Sequence, residues 1–183
     1  MVEPLLVVLA GRPGTGKTTL GRLVAAALGA AFLRIDAIET AVVGCGLAQP
    51  PVGPVGYVVA HEVAAPTLAV GTSVVVDAVN PVPEARSGWA VLASSARLVV
   101  FETVLADEAE HCRRVETRRP DLARQIVPTW DEVLASDYMT WDEARDGPRH
   151  VIDMTDTKLG LTAALALAGQ GRGGRPASID KRR

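Results

Sequence analysis

The segment GRPGTGKT, residues 11–18, contains residue types that can bind a phosphate group. It fits the pattern G-x-x-x-x-G-K-[ST], in which glycines let the backbone turn tightly and direct successive N–H groups at an anion. Lys17 can then reach the β- and γ-phosphates of a nucleotide, and the Thr18 hydroxyl can bind Mg²⁺. The sequence therefore predicts a site for ATP and Mg²⁺ whose nucleotide-binding residues are Gly11, Arg12, Pro13, Gly14, Thr15, Gly16, Lys17, Thr18 and Thr19. The alternative is a glycine-rich turn that binds nothing.

Asp77 ends the apolar run SVVVD, residues 73–77, and is a candidate second ligand of Mg²⁺. Sites of this kind use an acidic residue at the end of a neighbouring strand to hold the metal shell. Ala78 follows at the place where many ATPases have a glutamate that activates water. The pattern therefore favours a substrate hydroxyl over water as the phosphoryl acceptor. The alternative role for Asp77 is an ordinary strand-end cap.

Asp36 ends the run FLRID, residues 32–36, and is a candidate general base. If its strand is parallel to the one before the glycine-rich loop, its carboxylate lies at the same sheet edge and can accept the proton of an attacking hydroxyl. The alternative is an N-cap for the helix that begins with AIETAVV, since aspartate is favoured there. The two roles are compatible, because a capping carboxylate can still face a cleft.

The segment HCRRVETRR, residues 111–119, provides candidate charge-stabilising arginines. Arg114 and Arg118 are four residues apart and share one helical face. The helix should end near Arg118, because Pro120 restricts the residue before it. Arginines at the mouth of an α/β cleft can neutralise the charge on a phosphoryl group during transfer, which makes both catalytic candidates. The alternative is a solvated basic face paired with Glu110 and Glu116.

Apolar runs and helical patterns alternate along the chain and define the elements that must position these residues. An amphipathic helix follows the loop, with apolar residues at helical spacing from Leu20 to Leu28. A Gly/Pro-rich loop at 44–56 leads into an apolar helix from about Tyr57 to Val70. This alternation predicts a three-layer α/β fold with a parallel sheet, whose ligands collect at the carboxyl ends of the strands. The candidate strands are 4–10, 31–35, 73–77, 97–104 and 150–153.

Length and composition limit the classes of function. The 183 residues suit one domain, predicted over 1–169, with a polar basic tail at 170–183 that we expect to be disordered. A net charge of −2 argues against a nucleic-acid partner, because general binders of polyanions carry a strong basic field. The two cysteines, Cys45 and Cys112, are too few for a disulfide scaffold. The N-terminal apolar run is too short for a signal peptide or membrane span, so we expect no membrane partner and a cytoplasmic protein.

Taken together, these segments resemble the small P-loop kinases of the nucleoside-monophosphate-kinase-like superfamily. The likeness is strongest to the AAA_33-type group, which includes polynucleotide kinases, zeta toxins and chloramphenicol phosphotransferase. The resemblance implies a P-loop NTPase fold with strand order 2-3-1-4-5 and a mobile arginine-bearing lid over ATP at about 113–128. It also relates DAVNPVPEAR, residues 77–86, to the D-x-x-N segment of the family, which implies substrate contacts for Asp77, Asn80 and Arg86.

One position departs from the pattern of the polynucleotide kinases. Those enzymes carry an arginine shortly after the base, whereas this chain has Glu39 at the matching place. The departure argues against a polynucleotide acceptor. Tyr57 and His61, one helical turn apart, are candidates for lining an acceptor pocket, although the more common role for a residue such as His61 is an exposed position on a helix.

The leading functional prediction is an ATP-dependent phosphotransferase that acts on a hydroxyl of a small molecule, such as a metabolite, nucleoside or antibiotic. Two alternatives stay open. A polynucleotide 5′-hydroxyl kinase would bind oligonucleotides in a salt-sensitive way. A nucleotide-binding switch would bind ATP without stimulation by any acceptor.

Overall fold

A computed structural model of the chain describes residues 3–170. Its centre is a parallel five-stranded sheet with the order β2-β3-β1-β4-β5. All four strand pairings are parallel, and Val7 at the middle of β1 lies between Val75 and Val99. The predicted fold class and strand order are thus confirmed. The strands are β1 (Leu5–Ala10), β2 (Ala31–Arg34), β3 (Val74–Asp77), β4 (Arg97–Val104) and β5 (His150–Asp153).

Helices cover both faces of the sheet. The loop at 11–16 leads from β1 into the first helix, as predicted, and the predicted helix at 57–70 begins two residues earlier. A 3₁₀ helix at Gly88–Ser94 follows the fourth α-helix. The α-helices are α1 (Lys17–Leu28), α2 (Ile35–Gly44), α3 (Val55–Ala69), α4 (Pro83–Ser87), α5 (Glu108–Thr117), α6 (Trp130–Ala135), α7 (Glu143–Asp146) and α8 (Thr157–Gly169).

The β1 strand is buried along its whole length and divides the core into two layers. Its odd-numbered residues, such as Val7, pack with Leu20 of α1 and Ala164 of α8. Its even-numbered residues, such as Val8, pack with Ala60 of α3. Side chains alternate across a strand, so a continuous aliphatic run fills both layers at once. This arrangement produces the three-layer architecture and fixes the carboxyl end of β1 beside the glycine-rich loop.

The start of α2 corrects one expectation. The alternative role of Asp36 as a helix N-cap is wrong, because the helix already begins at Ile35 and its N-cap position is Arg34, which makes no side-chain capping bond. Asp36 instead lies in the first turn. A carboxylate there interacts favourably with the helix dipole, but it does not cap the helix.

The segment predicted as a lid, 113–128, comprises the second half of α5 and the residues that follow it. That helix ends at Thr117 with Arg118 as its C-cap, in agreement with the predicted end near Arg118. Residues 118–129 then form turns and irregular backbone up to α6. The His111 imidazole of α5 is hydrogen bonded through Nε2 to the Pro13 carbonyl at 2.7 Å, which ties the helix to the glycine-rich loop.

Other expectations concern the ends and the surface of the chain. Residues 171–183, which make up most of the predicted tail, lie outside the described part. Within residues 3–170, no helix is both long and apolar enough to span a membrane. Cys45 and Cys112 are both free thiols.

Candidate active site

The glycine-rich loop leaves the N-terminus of α1 open to a cleft. Gly16 is the N-cap of α1 and has a φ of 97°, a conformation that residues with a Cβ rarely adopt. A Cβ at this position would also lie 3.2 Å from Met154 Cβ, tighter than an ordinary contact. Glycine is therefore required here on both conformational and steric grounds. The unpaired N–H groups of the first helical turn are suited to an anion.

A cleft of about 570 Å³, the main cleft, lies over this helix end. It brings together residues that are up to a hundred positions apart in the sequence. The candidate site residues that line it are Pro13, Gly14, Gly16, Lys17, Thr18, Thr19, Asp36, Asp77, Arg114 and Arg118.

Lys17 is buried at the base of the main cleft. Its ammonium group donates to the carbonyl oxygens of Gly11 at 2.7 Å and Arg12 at 2.8 Å. Burial lowers the pKa of Lys17 to about 8, and the nearby carboxylates of Asp77 and Asp36 oppose that shift. The side chain is therefore a largely protonated cation at neutral pH, with contacts that a phosphate could replace.

Thr18 and Asp77 form the pair predicted to hold Mg²⁺. The Thr18 hydroxyl donates to Asp77 Oδ2 at 2.7 Å, so two oxygen ligands from different elements are adjacent at the cleft wall. Mg²⁺ prefers oxygen ligands and usually keeps several waters and phosphate oxygens in its shell, which suits this pair. Burial raises the pKa of Asp77, while Lys17 and the Thr18 hydrogen bond lower it. A cation at this position would favour the ionised carboxylate further.

Sequence reasoning missed Arg34, which organises the carboxylates of the site. Its guanidinium is only 5% exposed and lies between Asp36 at 3.2 Å, Asp121 at 2.8 Å and Asp77 at 3.6 Å. Asp121, in the segment after α5, also pairs with Arg22 of α1. The one available signal was a charged residue at the last position of β2, two residues before Asp36. Arg34 and Asp121 thus connect the predicted lid to the floor of the cleft.

Asp36 is partly exposed and keeps one carboxylate oxygen without a protein partner. Its Oδ2 accepts hydrogen bonds from Arg34 at 3.2 Å and from Gln125 Nε2 at 2.9 Å. Within residues 3–170, Oδ1 accepts none, and the side chain is 41% exposed. These contacts fix the orientation of the carboxylate while leaving Oδ1 free to approach a bound hydroxyl.

The two arginines of the predicted lid, Arg114 and Arg118, differ in their hydrogen bonds. Arg114 pairs with Glu110 at 2.6 Å and donates to the carbonyls of Met154 and Thr155, at the end of β5. Arg118 lines the cleft, and its side chain makes no hydrogen bond within the described residues. The alternative of a basic face paired with glutamates applies only to Glu110, because Glu116 accepts from the backbone N–H of Trp130 instead.

Three residues predicted to bind nucleotide do not line the main cleft. The Gly11 N–H donates to the Val79 carbonyl, so it is not available to a phosphate. The Arg12 guanidinium donates to the Val133 carbonyl at 2.9 Å and lies over the Tyr138 ring. The Thr15 side chain is buried, and its hydroxyl is bonded to the Arg12 carbonyl and to the Thr103 hydroxyl. The side chains of Arg12 and Thr15 and the N–H of Gly11 therefore stabilise the conformation of the loop.

Asn80 and Arg86 are buried structural residues in place of the expected substrate contacts. The Asn80 side chain donates to the Leu9 carbonyl and accepts from Trp89 Nε1, and only 1% of the residue is exposed. Arg86 forms a 2.7 Å ion pair with Asp146 in which both side chains are fully buried. Their polar groups are paired inside the protein, and neither residue lines the main cleft.

Tyr57 and His61 line a different pocket, which we call the aromatic pocket. Its walls come from the start of α3 and from residues 81–85. The His61 ring stacks on Trp89 with centroids 4.1 Å apart, and burial lowers the pKa of His61. The Tyr57 hydroxyl accepts from the Asn80 N–H at 3.0 Å. Neither side chain lines the main cleft, so the structure does not bring them to the predicted transfer site.

A pocket of about 320 Å³, the side pocket, adjoins the main cleft. The two cavities share Asp36, Gln125 and Ile126 as lining residues. Glu39 of α2 and residues 50–53 of the following loop complete the side pocket. A molecule in it would therefore meet Asp36 at the boundary with the main cleft.

The comparisons with known proteins concern the family and the fold of the chain. The sequence model of the family AAA_33, described as an AAA domain, matches residues 6–135. No curated protein matches the sequence significantly.

Solved structures with the same fold include several kinases. A sugar kinase from Janibacter sp. HTCC2649 superimposes with a TM-score of 0.66 at 18% identity, covering 93% of this chain and 96% of that one. A gluconokinase from Sinorhizobium meliloti 1021 gives 0.57 at 19% identity, with 93% and 99% coverage. Chaetomium thermophilum Kti12 in complex with ADP-AlF3 gives 0.60 at 17% identity, with 93% and 100% coverage. At these identities the likeness shows the P-loop kinase fold alone.

Proposed function

The chain belongs to the AAA_33 family of AAA domains, and from that premise we propose that it transfers the γ-phosphate of ATP to a hydroxyl of a small molecule. One observation carries the proposal: the side pocket meets the main cleft at Asp36. A donor in the main cleft and an acceptor in the side pocket would therefore approach each other beside a carboxylate with an unpaired oxygen.

The nucleotide side of the reaction uses the glycine-rich loop. We assign the N–H groups at the start of α1 and the Lys17 ammonium to the phosphates of ATP. Thr18 and Asp77 would hold Mg²⁺, which neutralises charge on the phosphate oxygens when bound. Arg114 and Arg118 would approach the transferred group from the lid side of the main cleft.

In the proposed transfer step, Asp36 acts as the general base. The acceptor oxygen bonds to the γ-phosphorus as the bond from that phosphorus to the β–γ bridging oxygen breaks, and ADP leaves with the electron pair. The acceptor proton passes to Asp36 Oδ1, and Arg34 and Gln125 hold the carboxylate by its other oxygen. The products are ADP, a phosphate monoester and one proton.

The side pocket also favours a small acceptor over a polynucleotide. Its lining contains two carboxylates, those of Asp36 and Glu39, and one guanidinium, that of Arg124. A phosphate-rich strand would be repelled by this charge.

A nucleotide-binding switch would need no acceptor pocket beside a candidate base. Its signature would be ATP turnover that no acceptor stimulates.

The test is acceptor-dependent ADP release in the presence of Mg²⁺, followed by kinetics on Asp36→Asn with the acceptor that responds. If Asp36 is the base, kcat should fall by about 10²- to 10⁴-fold while ATP affinity barely changes. Asp121→Asn is the matched control, since it also removes an acidic partner of Arg34 but is not the proposed base. Its kcat should fall much less. An Asp36→Asn enzyme with unimpaired kcat would exclude the base assignment, and no stimulation by any acceptor would exclude the transferase.

A further inference from the structure

The polar groups of the side pocket are mostly hydrogen-bond acceptors. Asp36 and Glu39 are three residues apart on α2, so their carboxylates share one helical face. Gln125 also lines the pocket, but its Oε1 is fully buried, accepts no hydrogen bond within residues 3–170 and is not open to a ligand. The Thr40 hydroxyl completes the set. A ligand that fits these walls must therefore bring donors.

Glu39 is a partly buried carboxylate on the wall of the side pocket. Within the described residues its carboxylate takes part in no ion pair, and it is partly buried between α2 and α3. Gly56 of α3 makes this position possible, since a Cβ there would lie 2.8 Å from Glu39 Cγ and 2.9 Å from Glu39 Oε1. Burial, together with the charge of Asp36, raises the pKa of Glu39 to about 7. Within residues 3–170 the fold therefore holds this carboxylate at the pocket without an ion-pair partner, although Arg124 also lines the pocket.

The cations nearest the pocket are engaged elsewhere. Arg34 pairs with Asp36, Asp77 and Asp121. Arg124 lines the pocket, but its Nη1 donates to the Gly44 carbonyl at 3.3 Å. An acceptor that carried a carboxylate or phosphate would face two carboxylates against one guanidinium, that of Arg124, in a partly desolvated space where like charges repel more strongly than in water. A positively charged acceptor would instead be attracted by the two carboxylates.

We propose that the side pocket binds an alcohol that also carries a protonated amine, with the ammonium group paired to Glu39 and the hydroxyl directed to Asp36. This inference rests on the proposed function, because it identifies the acceptor class for the same transfer. Asp36 and Glu39 lie about one helical turn apart, so the hydroxyl and the amine belong on neighbouring carbons or on a single sugar-sized ring.

The experiment compares acceptors that differ in one substituent, using the full chain with ATP and Mg²⁺. D-Glucosamine, D-glucose and D-glucuronate form one set, and aminocyclitols with the corresponding cyclitols form a second. ADP release and phosphate-ester formation measure transfer, and ligand-observed NMR measures binding separately. Each acceptor is tested with the unaltered chain, with Glu39→Gln and with Glu62→Gln. Glu62 is an exposed glutamate on α3 at the aromatic pocket.

We expect amine-bearing acceptors to have kcat/KM at least 10-fold above their neutral counterparts. Glu39→Gln should reduce that advantage by about 10- to 100-fold, as for loss of a hydrogen bond to a charged group. Glu62→Gln should preserve it. Glu39→Lys should shift the preference towards the acid-bearing member of each set.

Several outcomes would overturn the inference. Equal or better transfer to neutral or acidic acceptors would do so while leaving the proposed function intact. An amine preference that depends on Glu62 would move the acceptor to the aromatic pocket. Amine binding through Glu39 without any transfer would support the ligand class and refute the transferase instead. No detectable binding of any amine-bearing probe would refute the ligand class.

Discussion

Replacing Glu39 by glutamine should stabilise the protein, and the gain should depend on pH. Glu39 has a pKa of about 7 in the folded protein, compared with an ordinary value of 4.5. The groups that face it are Asp36 on its own helix, Tyr57 on α3 and Arg124 in the lid segment. Since the carboxylate takes up a proton more readily in the folded state, the folded protein loses stability as pH rises from 4.5 towards 7.

The size of the effect follows from that difference in pKa. A gap of about 2.5 pH units between the folded and unfolded states corresponds to about 3 kcal/mol. Glu39 is only partly buried, so solvent screening reduces this upper value to roughly 1–3 kcal/mol. Glutamine has nearly the same shape and no charge to desolvate. The stability difference between Glu39→Gln and the unaltered chain should therefore be near zero at pH 4.5 and reach its full value above pH 7.

Urea unfolding at pH values from 4.5 to 8 measures this difference directly, and thermal unfolding should show roughly a 2–10 °C gain at pH 8. Glu62→Gln, on an exposed face of the neighbouring helix, should give a flat profile across the same range. The reasoning would be refuted if the Glu39→Gln gain did not vary with pH, or if the variant were less stable than the unaltered chain at pH 8. The first result would mean that folding does not raise the pKa of Glu39, and the second that the carboxylate has a stabilising partner in the folded protein.

Four further substitutions test the main cleft. Lys17→Ala should keep the fold, as judged by circular dichroism, but weaken ATP binding and reduce transfer by at least 10²-fold, because it removes the cation from the phosphates; turnover equal to that of the unaltered chain would contradict the assignment. Arg114→Ala and Arg118→Ala should each lower kcat about 10- to 10³-fold with a smaller change in the KM for ATP, whereas small equal effects on both constants would favour a solvated basic face. Asp77→Asn should raise the Mg²⁺ concentration needed for half-maximal activity, and an unchanged Mg²⁺ titration would remove Asp77 from the metal shell.

The elements that local patterns specify were predictable from the sequence. A buried parallel strand reads as a continuous aliphatic run, and LLVVLA of β1 is buried at every position. The loop after it was identified because glycine, lysine and threonine have fixed spacings in a phosphate site. Lys17, Thr18, Asp36 and Asp77 could be placed at one edge because parallel strands bring their carboxyl ends together.

Roles that depend on distant partners were not predictable in the same way. Arg86 resembles a substrate-binding arginine in sequence, yet Asp146, which neutralises it, is 60 residues further along the chain. Arg34 lacked an evident role because Asp121, 87 residues away, reaches it only through the fold. Asn80 is diverted from the cleft by Trp89 and by the Leu9 carbonyl. A sequence pattern records which groups are available, whereas the fold decides which of them are already paired.

The main cleft and the side pocket differ in whether their charged groups are already paired within the protein. In the main cleft, Lys17 is bonded to loop carbonyls, and Thr18 is bonded to Asp77. ATP must therefore exchange existing hydrogen bonds for new ones, so its net gain comes from charge neutralisation more than from the number of contacts. In the side pocket, Glu39 has no ion-pair partner within residues 3–170, and a cationic ligand would relieve a desolvated charge. The discrimination between acceptors should accordingly depend more on this one carboxylate than on any residue of the phosphate loop.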